Sequence, residues 1–455
     1  MEKKFCILNF RIFCMSVVIL SACSSDDPDI DDTPNKPDNP SENIETIYVP
    51  DPELRKFLYA VECAKPVDDA KGLVTPTHIN IDIDLDIRQS DSFDVTKIIS
   101  LEGLEKFRIN RISIDGVNMP EFKFDSWPVL QYVSIRSTSP IKTYAIINCP
   151  KAYDVCNIEA AVESIIFYNI DIEEFRCQDC SFNHVSLANC NKIKEISISD
   201  NNCESLTVKS CSLIETISLS DLMRFRNLKI DNTPVKTIDL NNLKCFSSLT
   251  DLNSRECLES LKVLNCPLES VDITTSPNLK TVWLECSKFK SEEAKKEYLE
   301  AQNKASLEID ARPYFAPEYL MRLKELDLTG TSNIEDLYVL YNNTRLVIKG
   351  NLNNASEVWC PYSSITKIPN LDTPNINLVN LQGNELTDFN LPKVNAKYVN
   401  VKYNNITKQI PNDKGSYEWW IYDVRYEYWT DENGETRHKD NGKGWWYYFE
   451  PETRP

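Results

Sequence analysis

Residues 185 to 240 read VSLANCNKIKEISISDNNCESLTVKSCSLIETISLSDLMRFRNLKIDNTPVKTIDL, and this stretch decides the fold. It repeats one short phrase: an apolar residue, any residue, a second apolar residue, two more residues, and in most copies then Cys, Thr, Ser or Asn. Copies begin at residues 185, 196, 206, 217, 228 and 238, so two steps of 10 or 11 residues make about 21. We predict one coil of two short strands per 21 residues, with each strand stacked on its counterpart in the next coil.

The same phrase extends the repeat in both directions. It occurs earlier as Ile112-Ser-Ile114 and Val133-Ser-Ile135, and later as Leu261-Lys-Val263, Val271-Asp-Ile273 and Val282-Trp-Leu284. A single coil cannot bury its apolar positions, but stacked coils share a continuous core. The length of 455 residues is therefore explained by a number of coils, and not by the roughly three domains that length alone would suggest.

The late copies carry a resemblance to a known family. Residues 379 to 386 (VNLQGNEL) and 399 to 406 (VNVKYNNI) fit the leucine-rich repeat pattern L-x-x-L-x-L-x-x-N/C-x-L. With the 21-residue period and the cysteine-bearing strands, the chain resembles leucine-rich-repeat lipoproteins of Gram-negative anaerobic bacteria. The resemblance covers most of residues 44 to 410 and implies a mainly β leucine-rich-repeat solenoid with stacked parallel strands. The chain departs from the family in two ways. Cys, Thr or Ser often replaces the Asn of the repeat pattern, which we call the ladder Asn, and the family's acidic, turn-rich cap loop is not recognisable around residues 66 to 78.

The ends of the repeat are predicted to carry caps. Residues 47 to 52 (IYVPDP) resemble the N-terminal cap of that family, and residues 99 to 104 (ISLEGL) resemble its junction with the repeats. Apolar spacing predicts a helix over 52–61 with Asp51 as its N-cap. The turn signals Asn433-Gly434 and Asn441-Gly442 predict a C-terminal aromatic β-hairpin cap.

The first 43 residues are predicted to be a targeting signal followed by a tether. Lys3 and Lys4 precede a short apolar run, and Leu20-Ser-Ala-Cys23 resembles the lipobox of bacterial lipoproteins, which implies cleavage before Cys23 and its acylation. The alternatives are an ordinary secretory signal or a short membrane helix. Residues 24 to 43 are acidic and proline-rich, and Asp26-Asp27 resembles a surface-export signal, so we expect an outer-membrane lipoprotein facing the exterior. The alternative is a plain spacer that leaves the protein in the periplasm.

These patterns divide the chain into seven segments. The predicted segments are a lipoprotein signal peptide (1–22), the lipidated cysteine with its disordered tether (23–43), an N-terminal cap (44–110), a first repeat block (111–287), a helical insertion (288–325), a second repeat block (326–411) and a C-terminal aromatic cap (412–455). In the insertion, residues 291 to 305 predict a helix with Ser291 as its N-cap. The insertion could be displayed toward a partner, or it could cover the solenoid laterally or act as a hinge between two stacks.

Composition argues against several kinds of chemistry. The net charge of −19 disfavours nucleic acid, and 10 glycines with no phosphate-loop motif disfavour nucleotides. The three histidines are far apart, and the many acids have no recognisable catalytic pairing, so we predict no catalytic residue, metal or cofactor. Of 16 cysteines, 13 follow Cys23, and several recur at the repeat period. We expect these to be buried free thiols, because in-register side chains have poor disulfide geometry.

Large aromatic residues interrupt the polar face of the repeat. The central residue of each phrase points outward, and Trp283 and Trp359 hold this position in their copies, as do Lys262 and Asp239 in theirs. Exposed tryptophans can stack a sugar ring or anchor a protein, although contact with the lateral helix or a neighbouring segment is the alternative. The C-terminal candidates are Trp419, Trp420, Trp445 and Trp446, which could form a glycan platform or only close the last coil.

The sequence predicts a binding role. We expect a non-catalytic, surface-anchored adhesion scaffold, monomeric, that uses its repeat face to bind a surface protein. The alternative is a glycan-binding accessory lipoprotein that uses its exposed tryptophans. The identity of the partner, protein or glycan, stays open.

Overall fold

A computed structural model describes residues 46–78, 81–178, 181–253, 255–305, 309–371, 373–387, 398–401 and 403–405, together with four short strands beyond residue 419. The chain forms a parallel β-solenoid, as predicted. Its coils advance by about 21 residues, since Glu174 pairs with Glu195, Glu195 with Thr216, and Thr216 with Thr237. The predicted coil of two short strands is therefore confirmed.

One side of the solenoid, which we call face A, is a long parallel sheet. Its parallel strands are Glu174–Gln178, Glu195–Ser199, Thr216–Ser220, Thr237–Asn241, Ser260–Leu264, Thr281–Glu285, Asp336–Leu340, Glu357–Trp359, Leu378–Asn380 and Tyr398–Asn400. Nearer the N-terminus, a separate four-stranded parallel sheet consists of Ile83–Ile87, Ile109–Asp115, Tyr132–Arg136 and Asp154–Glu159. The described strands Asp154–Glu159 and Glu174–Gln178 do not pair with each other, a discontinuity that the repeat pattern did not predict.

The alternate strands form the other side, face B. Six pair continuously: Glu121–Asp125, Ile141–Ile147, Val162–Tyr168, Phe182–Ala188, Ser205–Lys209 and Asn227–Asp231. A pair, Ser248–Leu249 and Ser270–Val271, and a triplet, Glu325–Leu328, Leu346–Gly350 and Ile365–Lys367, occupy the alternate positions later in the chain. Inward residues of both faces are almost fully buried, so the core runs through the stack as one continuous cluster.

The corners explain how so glycine-poor a chain turns so often. Asn189, Ser210 and Asn232 each follow a strand and have φ of 54°, 52° and 48°. Asn is among the non-glycine residues that enter this left-handed region most readily. Those three corners follow strands of face B, and Asp200, Asp221 and Asn242 take the same conformation after strands of face A. The backbone N–H of Asn189 donates to Lys209 O at 3.0 Å, so the corner residue also joins one coil to the next.

Cysteines stand directly after several corner residues. Cys190 and Cys211 are fully buried, and each thiol donates to two backbone carbonyls, including that of the residue two positions earlier. The 12 described cysteines are all free, as expected, and nine of them are buried, whereas Cys156, Cys245 and Cys257 are only partly buried; Cys180 lies outside the described residues. In the second block Asn384 takes the corresponding role: Ser363 N and Ile365 N donate to its Oδ1, and its Nδ2 donates to Cys360 O and Leu381 O.

A small N-terminal unit precedes the coils. Strands Ile47–Tyr48, Ala64–Asp68 and Leu73–Pro76 form an antiparallel sheet beside helix Pro52–Ala60. Asp51 caps that helix, with Glu53 N and Leu54 N donating to its Oδ1, as predicted. Short 3-10 helices at Asp69–Lys71, Val95–Lys97, Leu104–Lys106, Arg255–Cys257, Arg312–Tyr314 and Pro317–Tyr319 complete the described helical structure, apart from the insertion helix.

The insertion leaves the coil stack uninterrupted. Thr281 pairs directly with Asp336 in face A, although 55 residues separate them. The insertion contains the predicted helix, Glu292–Ala305, and Ala294 N donates to Ser291 Oγ. It packs through a separate aromatic cluster in which Tyr298 and Phe315 meet Tyr341 and Tyr362 of the solenoid. The insertion is therefore packed laterally against the solenoid, and face A is paired continuously across it.

The insertion contacts coils that are distant from one another. Arg312 Nη1 donates to Asn342 O at 3.1 Å and to Ser364 Oγ at 2.7 Å. In the other direction, Glu318 forms an ion pair with Lys244 at 3.4 Å. The segment therefore extends along the edge of the solenoid past several coils.

Four strands follow the last described coil. Trp420–Asp423 pairs antiparallel with Tyr398–Asn400 and with Trp445–Tyr448, whereas Glu427–Thr430 pairs with Thr436–Lys439. This pairing is described at the level of the backbone.

Candidate functional site

The sequence-predicted residues of the repeat meet in one row on face A. Asp239, Lys262, Trp283 and Trp359 all occupy the central outward position of their strands. The strand pairing inserts Tyr338 between Trp283 and Trp359, so three aromatic residues lie on three neighbouring strands. Adjacent strands lie roughly 4.8 Å apart, which places these side chains in contact distance along the row. We call Asp239, Lys262, Trp283, Tyr338 and Trp359 the aromatic row.

The Trp283 ring has a neighbour on each side. Its centroid lies 5.1 Å from that of Tyr338 at an interplanar angle of 34°. The Lys262 ammonium lies 5.9 Å from the same indole and 3.2 Å from an Asp239 carboxylate oxygen. Lys262 is therefore held between a carboxylate and an aromatic ring, and both arrangements favour a positive charge.

Carboxylates flank the aromatic rings. Trp283 Nε1 donates to Glu285 Oε2 at 2.7 Å, and the Tyr338 hydroxyl donates to Glu357 Oε2 at 2.5 Å. Asp336 is the register partner of Glu357, and Ser356 Oγ donates to it at 3.4 Å. None of these three carboxylates forms an ion pair with a lysine or arginine of the described ranges.

This local excess of negative charge affects the protonation of the site. Partial burial and the nearby Glu357 charge raise the pKa of Asp336 above its ordinary value. Burial and the hydrogen bond to Glu357 raise the pKa of Tyr338 well above 10, so its hydroxyl stays protonated and remains a donor. The site thus combines electron-rich rings with unpaired carboxylates, an arrangement that favours cations.

No family model, curated protein or solved structure matches this chain.

The structure describes to different extents the tryptophans and Cys23 that the sequence proposed as site residues. The Trp283 ring contacts Tyr338 of the neighbouring strand, so the contact with a neighbouring segment that was considered for it is present. Trp420, Trp445 and Trp446 lie on paired strands whose side chains are not described. Cys23 and Trp419 lie outside the described residues.

Sequence reasoning missed Tyr338, Glu285, Asp336 and Glu357. The signal was available for Tyr338, because Leu337-Tyr-Val339 is another copy of the repeat phrase with an aromatic residue in its centre. The strand register across the insertion has no signal in the sequence, and only that register brings Tyr338 beside Trp283.

A groove lies at the corner near the discontinuity of face A. It is an open groove of about 650 Å³ lined by Gln131, Tyr153, Asp171, Glu173 and Lys192, among others. Lys192 and Asp171 already form an ion pair at 2.6 Å. The groove is therefore polar and partly neutralised.

The described ranges contain no group of three or more His, Cys, Asp or Glu side chains placed to hold a metal ion. They also contain no helix with the length and apolar character required to cross a bilayer.

Proposed function

We propose that this chain is a non-catalytic binding scaffold that uses face A to bind another protein. The observation that carries the proposal is the aromatic row, where Trp283, Tyr338 and Trp359 stand half-buried on adjacent strands of an otherwise polar face. Tryptophan and tyrosine are enriched among the residues that dominate binding energy at protein interfaces. A stack of coils provides the broad, regular surface that such binding uses.

We also propose that the solenoid is of the leucine-rich-repeat type, with caps at both ends. The coil length of about 21 residues and the buried Asn384 at the ladder position support this assignment. The N-terminal helix with its Asp51 cap supports an N-terminal cap, and the antiparallel pairing of Trp420–Asp423 with the last described coil supports a C-terminal one. Covering the last coil would remove an open sheet edge.

The proposed location is the outer face of the outer membrane. The lipobox-like residues before Cys23 and the acidic tether at 24–43 support a lipoprotein whose binding face projects outward. A Cys23→Ala variant should lose incorporation of labelled fatty acid. Protease added to intact cells should remove the protein, and resistance to protease would contradict exposure at the surface.

The binding proposal is tested by crosslinking capture of surface proteins with the full chain as bait. The Trp283→Ala/Tyr338→Ala double variant should lose the captured partner, because it removes the centre of the row. The matched control is Thr207→Ala/Lys229→Ala, which alters neighbouring central positions on face B. Equal capture by all three proteins, each with unchanged circular dichroism, would contradict binding through face A.

Glycan binding is the second candidate function. It is favoured by the proximity of aromatic rings and carboxylates, since both contribute to sugar recognition through stacking and hydroxyl hydrogen bonds. It ranks second because a neutral sugar would leave the charges of Glu285, Asp336 and Glu357 without a positive partner. A change of tryptophan fluorescence on adding a soluble polysaccharide, abolished by Trp283→Ala, would reverse this ranking.

A further inference from the structure

We propose that the carboxylates around Trp283 and Tyr338 bind lysine or arginine side chains from a basic segment of the partner protein. This inference rests on the proposed function and adds the chemistry of the partner. The proposed cation-binding site consists of the Trp283 and Tyr338 rings with Glu285, Asp336 and Glu357.

The row already contains one occupied example of such a site. Lys262 lies between Asp239, at 3.2 Å, and the Trp283 ring, at 5.9 Å from its centroid. Its carboxylate and its ring come from the two strands on either side of its own. The chain therefore uses this surface to hold one of its own ammonium groups by an ion pair and a cation–π contact together.

The next strands repeat the anionic part of this arrangement without its cation. Glu285 and Glu357 accept hydrogen bonds from the ring donors, and Asp336 stands beside Glu357. The lysines at neighbouring positions have other partners: Lys262 pairs with Asp239, and Lys280 pairs with Glu335 at 4.0 Å.

Charge complementarity identifies the occupant. Glu285 lies at one end of the ring pair, and Asp336 and Glu357 lie at the other. A cation brought by a partner would be attracted to either end, and beside Asp336 and Glu357 it would also lower their mutual repulsion. Arginine fits well because its planar guanidinium can stack on a ring while bonding a carboxylate. A neutral sugar would leave the same negative charges unpaired.

The test uses the full chain and two synthetic peptides. One peptide alternates arginine with serine, and the other has glutamate in place of each arginine. Calorimetry measures their binding at about 50 mM and about 500 mM salt, because screening weakens a charge-based contact at the higher concentration. Binding of the arginine peptide only, weakened by salt, is expected.

The decisive comparison separates the site from the general acidity of the chain. Glu285→Gln/Glu357→Gln removes two charges but keeps an oxygen to accept each hydrogen bond, so the rings stay positioned. The control is Glu121→Gln/Glu163→Gln, which removes two exposed charges on face B. The site variant should bind the arginine peptide roughly tenfold more weakly than the control does. Equal affinities, or no binding of the arginine peptide to the unmodified chain, would overturn the inference.

The same variants distinguish failure of this inference from failure of the proposed function. If Trp283→Ala/Tyr338→Ala loses the captured surface protein and Glu285→Gln/Glu357→Gln retains it, face A binds a protein but not through basic side chains. If neither variant affects capture, the proposed function fails as well. If a polysaccharide binds in place of the arginine peptide, with equal affinity for both glutamine variants, the occupant is a glycan and this inference is wrong.

Discussion

Asp51 is predicted to contribute more to stability than a helix cap alone. Its Oδ1 accepts from Glu53 N and Leu54 N, both at 2.9 Å, at the start of helix Pro52–Ala60. Its Oδ2 accepts from Ile99 N at 2.7 Å and from Ser100 N at 3.1 Å. One buried carboxylate therefore fastens the helix to a backbone segment 48 residues away.

The magnitude follows from counting these bonds. Losing the cap interaction costs about 1 kcal/mol. Each bond from the 99–100 backbone to the carboxylate is taken as about 1 kcal/mol, below the usual range for a charged acceptor, because that segment is partly exposed and water can replace the lost partner. Asp51→Ala should thus destabilise the helix by about 3 kcal/mol. Asp51→Asn should cost about 1 to 2 kcal/mol, because its oxygen keeps the cap while its NH₂ faces two N–H donors.

Hydrogen exchange of the helix amides is the suitable assay, because stacked coils need not unfold as one unit. The free energy of opening for residues 54 to 60 should fall in the order wild type, Asp51→Asn, Asp51→Ala. Asp84→Asn, at an exposed position on strand Ile83–Ile87, is the control and should match wild type. If Asp51→Asn also matches wild type, the bonds to the 99–100 backbone contribute nothing and the reasoning is refuted.

Four further predictions concern the interior and the insertion. Burial raises the pKa of the Cys203 and Cys266 thiols from 9.0 to about 12, so the stability they contribute should be present below pH 9 and lost as pH rises toward 12; urea unfolding across that range, flatter in Cys266→Ala, checks this. In the native state these thiols should react with Ellman's reagent more slowly than the half-buried Cys245, and equal rates would contradict their burial. Asn384→Ala removes the buried hydrogen bonds of this side chain and should lower the free energy of unfolding by about 3 kcal/mol or more, seen as a lower midpoint of thermal unfolding, whereas an unchanged midpoint would show that these bonds are dispensable. Arg312→Ala removes the contacts of the insertion with two coils and should make the insertion more susceptible to protease while the face A strands stay protected; unchanged cleavage would show that the aromatic cluster alone holds it.

The sequence predicted the repeating part of the fold well because its signal is local. The alternation of apolar residues assigns the inward face of each strand, and the 10- or 11-residue step separates the two sides. The buried cysteines followed from the same period, since a small side chain suits a position directly after a corner. Asp51 was recognisable as a cap because it precedes a proline and an apolar helical pattern.

The candidate site was only half predictable for a physical reason. Trp283 and Trp359 were recognisable as aromatic residues at an outward position, each within its own phrase. Their relation to each other depends on how the chain resumes after the insertion, and the pairing of Thr281 with Asp336 has no local signal. The same holds for the discontinuity before Glu174, which interrupts face A while the strands of face B remain paired.

The insertion gives the solenoid a mechanical property that stacked coils alone lack. In a simple stack each coil touches only its neighbours, so tension can peel coils away one at a time. Here a single segment is fixed at Lys244 on one side and at Ser364 on the other, and the strands of Trp283, Tyr338 and Trp359 lie between these points in the stack. A partner that pulled on the aromatic row would therefore load several coils in parallel, and the attachment should resist force best where the proposed binding surface lies.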